Sequence, residues 1–254
     1  MRLLSLILGF SLVWVSQGVF ASGLTMGEAI DKAGRQRMLT QKMVKAYALE
    51  GLNLNMRARY ELNGAATLFD TQLGELRKFV TTAEEKNQIE KISLLWSELK
   101  NELASTPNKE KAGEINDMAE LLLVESHALV GMLETRSGTV AGKLVNMSGR
   151  QRMLSQRIAK TYLLQTWGLK SASLDKQLDQ AADQFGEALE VLISSSANTE
   201  NIAENLAKVD KQWRVFGISN FSKKYNVRVP NLVVRSMNKI LVEMNTITGL
   251  YAAI

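Results

Sequence analysis

Two arginines stand where charge is hard to accommodate. Arg37 lies within Gly34-Arg-Gln-Arg-Met-Leu-Thr-Gln-Lys-Met43, and Arg152 holds the same place in Gly149-Arg-Gln-Arg-Met-Leu-Ser-Gln-Arg-Ile158. Seven of the ten positions are identical and the other three are conservative. On a helical wheel Ile30, Ala33, Arg37, Thr40, Val44 and Tyr47 share one packed seam. Val145, Ser148, Arg152, Ser155, Ala159 and Tyr162 form the matching seam. Each arginine is thus set in the middle of a stripe meant for packing. Its neighbours one turn away are small or hydroxylated, which leaves space and offers donors.

A guanidinium does not shed its proton, so burial demands a counter-charge. No carboxylate recurs beside the motif, since Glu28 and Asp31 of the first copy become Lys143 and Asn146 in the second. That points to an external partner, and the planar fork suits a small planar oxyanion. Gly34 and Gly149 let a second helix approach closely, while Thr40, Ser155, Gln41 and Gln156 lie within reach of the same place. Two other readings stay open. The arginines snorkel to water, or they pair with an acid from another helix, such as Glu61 or Glu125. Arg35, Lys42, Arg150 and Arg157 read as a solvated face. Gln41 and Gln156 either donate to an anion or cap the seam.

Other chemistry is poorly supplied. The chain has no cysteine, which excludes disulfides and thiolate metal sites. His127 is the only histidine, without metal-ligand spacing, and reads as a solvated or satisfied side chain. Trp96 and Trp213 read as core. No nucleophile–base pair or glycine-rich phosphate loop stands out, so no catalytic residue, metal or cofactor is expected.

The elements that must position the arginines are helices. Ala, Leu, Glu, Lys, Gln and Met dominate, prolines number 2, and no period-2 run appears. The first copy predicts helices near 25–50, 54–80, 83–104 and 109–136, with Thr25 and Glu28 as a capping box. The second predicts them near 139–167, 173–194, 199–216 and 231–252, with loops at 194–198 and 223–230. Phe69 aligns with Phe185, Trp96 with Trp213, and Leu129-Val-Gly-Met132 with Leu241-Val-Glu-Met244. The fold class is all-α, as two tandem up-down four-helix bundle units over 22–136 and 137–254. Gly138 either ends the fourth helix or lies inside one long rod.

Residues 1–21 read as a cleavable signal peptide. Arg2 precedes an apolar run from Leu3 to Val15, and Val19-Phe20-Ala21 supplies the small residues of a cleavage site. The run falls short of a membrane span, so an uncleaved inner-membrane anchor is the minority reading. An exported chain without cysteine suits a bacterial periplasm. The net charge of +5 is interspersed with acids, which does not suggest a nucleic-acid surface.

The decamer, its place on a first helix and the leader resemble the periplasmic sensor domain shared by NarX-type nitrate/nitrite sensor kinases and the pilus chemotaxis transducer PilJ. The PilJ-like motif is nearly letter for letter Gly149 to Arg157. The NarX-like motif, Lys-Ala-Gly-x-x-Arg-Met, matches Lys32-Ala33-Gly34-Arg35-Gln36-Arg37-Met38. The resemblance implies anion binding by Arg37 and Arg152, with nitrate or nitrite first. It implies a non-enzymatic periplasmic binding protein acting through a membrane sensor or transporter partner. In NarX-type sensors two subunits share the anion, so a homodimer is one arrangement and two motif helices meeting within one chain is another. The alternative is a structural or interaction module of the envelope or a pilus-linked chemosensory system, with no small-molecule ligand.

Overall fold

The computed structural model describes residues 23–218 and 228–254. The expected leader and most of the loop expected at 223–230 lie outside them. Among the described residues there are eight helices and no strand. The first four are α1 (Met26–Gly51), α2 (Ala58–Phe79), α3 (Ala83–Ala104) and α4 (Ala112–Ser137). The next four are α5 (Val140–Thr166), α6 (Ala172–Ile193), α7 (Glu200–Ile218) and α8 (Pro230–Ala252). The fold is therefore all-α, with the same order of four helices in each half.

Local chemistry sets most boundaries. Capping boxes open α1 at Thr25/Glu28 and α3 at Thr82/Glu85. The Thr139 hydroxyl accepts from Gly142 N–H at 3.0 Å to open α5. Gly138 takes φ 62, the left-handed conformation that glycine adopts freely at a helix end. It separates α4 from α5, so no continuous rod joins the halves. The expected start of α2 near 54 is too early. Asn53 sits at φ 53 and Asn55 accepts from Arg57 N–H, and these local turns hold the chain out of helix until Ala58.

The core is organised around α1 and α5. They run parallel and side by side, and each is buried almost all round. Outside them, α2 and α4 cover α1, while α6 and α8 cover α5. The third helix of each half packs on the fourth. All twelve expected seam positions are buried, as are Met38, Leu39 and Met43. Phe69 stacks on Trp96 at 4.3 Å between ring centroids, and Phe185 on Trp213 at 4.4 Å, so that alignment of the halves is sound.

The alignment of the fourth helices is different. Leu129-Val-Gly-Met132 does not correspond to Leu241-Val-Glu-Met244. The buried positions superpose as Ile115 with Val233, Ala119 with Met237, Leu122 with Ile240 and Leu133 with Tyr251. The letters agree in a register that would turn the buried face of one helix outward, and burial decides.

Candidate functional site

The interior of the α1–α5 pair carries four buried cations in two layers. In the first, Arg37 is 1% and Arg152 0% exposed. Their guanidiniums lie against the bare backbone of the two motif glycines. A Cβ on Gly34 would stand 3.2 Å from Arg37 Nη2 and 3.5 Å from Arg152 Nη2. One on Gly149 would stand 3.1 Å from Arg152 Nη2 and 3.6 Å from Arg37 Nη2. The glycines thus let two like charges nest between the helices, where any side chain would press on them.

Each arginine has one partner on the other copy and one on its own. Arg152 Nη2 lies 2.7 Å from Asp31 Oδ1 on α1, and its Nη1 donates to Asn245 Oδ1 at 3.3 Å. Arg37 Nη2 donates to Asn146 Oδ1 on α5 at 2.9 Å, and its Nη1 to His127 Nδ1 at 2.9 Å. Asp31 and Asn146 hold matching places in the repeat, so one arginine meets a carboxylate and the other an amide. Glu134 is held one bond away, accepting from Asn146 Nδ2. Burial pushes the Arg37 pKa down to about 9, and Arg152 adds to the shift. The Arg152 value is lowered too, chiefly by burial, with Asp31 opposing. Burial and Arg37 also lower His127, which keeps its ring neutral and able to accept from Arg37.

The second layer lies two turns further on and repeats the pattern. Lys45 and Lys160 are both fully buried. Lys160 Nζ donates to Glu120 Oε1 of the other half at 2.6 Å, and Arg157 shares that carboxylate. Burial works to raise Glu120, but the two cations outweigh it and its pKa lies below the usual value. Lys45 Nζ has only neutral acceptors, Gln156 Oε1 at 2.6 Å and Asn238 Oδ1 at 2.7 Å. Burial pushes its pKa down to about 7. Asn238 stands in α8 where Glu120 stands in α4.

The structure brings the motif residues together, with unequal roles. The Thr40 hydroxyl donates to Gln36 O and that of Ser155 to Arg152 O, so both protons are spent on their own helix. Gln156 holds Lys45, while the Gln41 amide lies beside the Glu120 carboxylate and helps to keep it charged. The flanking cations are half-buried rather than solvated. Arg35 pairs with Asp31 at 2.7 Å, and Arg150 donates to Gln184 at 3.1 Å. Glu61 binds Asn55 and Glu125 accepts from Gln88, so neither serves an arginine. The inference that both arginines lack an internal acid is corrected for Arg152. Its acid sits on the other copy, where spacing within one helix cannot show it. Sequence reasoning also missed Lys45 and Lys160. Their signal was the recurrence of Lys-x-Tyr just beyond the decamer, at Lys45-Ala-Tyr47 and Lys160-Thr-Tyr162.

Two homologous helical units joined along a parallel, cation-lined seam define a duplicated helical-bundle domain. The family model for the N-terminal region of type IV pili methyl-accepting chemotaxis transducers, PilJ, matches residues 19–119 and again 135–217, and the chain belongs to that family. Neither a curated protein nor a solved structure matches it significantly. The family description makes the domain a sensory module of the chemotaxis-transducer type. Among the described residues no helix is long and apolar enough to cross a membrane.

Proposed function

We propose that this chain is a non-enzymatic periplasmic sensor module that takes a small planar oxyanion, nitrate or nitrite first, at the arginine layer between α1 and α5. It reports through a membrane-bound partner. Arg37 carries the reading: a fully buried guanidinium whose hydrogen-bond partners are a neutral imidazole, an amide and a backbone carbonyl. A buried positive charge without an anion costs several kcal/mol, and an oxyanion bridging Arg37 towards Arg152 would remove that cost. The tandem seam supplies within one chain both motif helices that a two-subunit site draws from two.

The scaffold reading keeps one specific support, the internal Arg152–Asp31 pair at 2.7 Å. A thermal-melt and calorimetric panel of nitrate, nitrite, sulfate, phosphate and chloride separates the two. If the anion binds the folded chain only, the melting temperature rises with its concentration, and Arg37→Met abolishes the rise. A melt indifferent to every anion in the panel leaves the scaffold.

A further inference from the structure

Arg37 is buried, but one of its edges is covered by a side chain that is free to leave. Its Nη2 is held inside the seam by the backbone oxygen and the amide of Asn146. Its Nη1 donates to His127 Nδ1 at 2.9 Å, and His127 stands on the exposed face of α4. The imidazole thus lies between that guanidinium edge and solvent. The same face leaves the ring room to move. Val124, one turn back, is exposed, and a Cβ on Gly131, one turn on, would meet nothing within 4 Å.

The second copy lacks this group. In the register that matches Ile115 with Val233, His127 matches Asn245, which accepts from Arg152 Nη1 at 3.3 Å. An amide accepts and donates without changing charge. A neutral imidazole that accepts at Nδ1 carries its proton on Nε2, so it offers an anion at Nη1 only a lone pair. That repulsion ends when the ring turns aside and Nδ1 takes up a proton. The charges facing the ring are Arg37 on α1, Arg150 on α5 and Glu134 on α4 itself. Burial, then the two arginines, hold its pKa below the usual 6.5, with Glu134 opposing. An anion beside the ring offsets both arginines and reverses that balance.

We propose that His127 is a ligand-recognition residue of the oxyanion site: an entering anion displaces its ring from Arg37, and the ring takes one proton from solvent and donates it as a hydrogen bond to the anion. Anion and proton are then bound together, one of each per chain. This role rests on the oxyanion reading of Arg37 and adds a pH dependence to it. The bound state holds one proton more than the free state, so affinity rises as pH falls. The rise is up to about tenfold per pH unit between the bound and free pKa values of the ring. It stops below the free value, under 6.5, where the ring is charged either way.

The chain has one histidine, so its ring protons report on this place alone in an NMR titration of the untagged protein. Without anion the ring should titrate below 6.5. Saturating nitrate, which does not itself titrate in this range, should raise the midpoint by about one pH unit or more. Nitrate affinity, read by calorimetry, should be about tenfold or more stronger near pH 5.5 than near pH 8. His127→Gln, an exposed change that keeps an acceptor for Arg37, should remove that dependence. Lys45 is retained in the variant, so any dependence of its own stays visible. Nitrate binding that leaves the ring's midpoint in place overturns the proposal, as does a pH dependence unchanged in His127→Gln. No binding of nitrate or nitrite at any pH removes the oxyanion reading itself, and this role with it.

Discussion

Arg37 and Arg152 occupy one place in two copies of the same motif, and the copies treat them differently. Arg152 has Asp31 within 2.7 Å, whereas Arg37 has Asn146 at the matching position. The same divergence recurs two turns away, where Lys160 meets Glu120 and Lys45 meets Asn238. In both layers the half-site built on α5 keeps an acid and the one built on α1 has an amide of similar shape. Shape and hydrogen bonding are held while one negative charge is removed.

The comparison is tested most severely by truncating each arginine. Arg152→Met should cost about 3 kcal/mol in plain buffer, because Asp31 is left with only its half-exposed Arg35 partner. Arg37→Met strands no carboxylate within bonding distance and should cost far less, or stabilise; chemical denaturation of the two side by side reads the difference. Equal losses would dissolve the distinction.

Lys45 provides the next largest effect. Below pH 7 it is protonated in the folded and unfolded chains alike, and above its ordinary value of 10.5 it is neutral in both. Between these limits only the unfolded chain holds the proton, so stability climbs with pH by up to about 1.4 kcal/mol per unit. Lys45→Met should flatten that climb, measured as denaturation midpoints from pH 7 to 9. Asn238→Asp should flatten it too, by giving the amine a carboxylate and restoring a higher pKa.

Restoring symmetry in the arginine layer should act more gently. Asn146→Asp combined with Glu134→Gln gives Arg37 an acid while keeping a donor for the second carboxyl position. A gain of about 1 kcal/mol is expected without added anion, together with loss of the anion-induced rise in melting temperature. Smallest of all, Arg35→Ala should shift stability by about 0.5 kcal/mol or less, since it breaks a partly exposed i,i+4 pair.

Much of this arrangement was legible in the sequence, for identifiable reasons. The seam through Arg37 and Tyr47 follows from helical periodicity, and recurrence of the decamer marked the two copies as one design. The capping box at Thr25 and Glu28 needs only four residues and was legible outright. Asp31 with Arg152, and Glu120 with Lys160, were not. Such pairs join residues on different copies, and sequence spacing reports only neighbours on the same helix. The fourth helices misled because short aliphatic strings repeat by chance, whereas the buried face of α8 is fixed by what it packs on. The role of His127 was hidden similarly: it is satisfied, but by Arg37, from a helix ninety residues away.

The Gly138 break, with the two halves on a single chain, has a consequence in the arithmetic of symmetry. Two identical subunits meeting along such a seam change their buried charge only in steps of two, since every substitution appears on both sides of the axis. Asp31 on both would neutralise both arginines, and Asn146 on both would neutralise neither. A chain that carries both copies is free of that parity. It holds one acid and one amide in each layer, so the two buried cations of a layer meet unlike partners, an arrangement that no symmetric pair of identical subunits can hold.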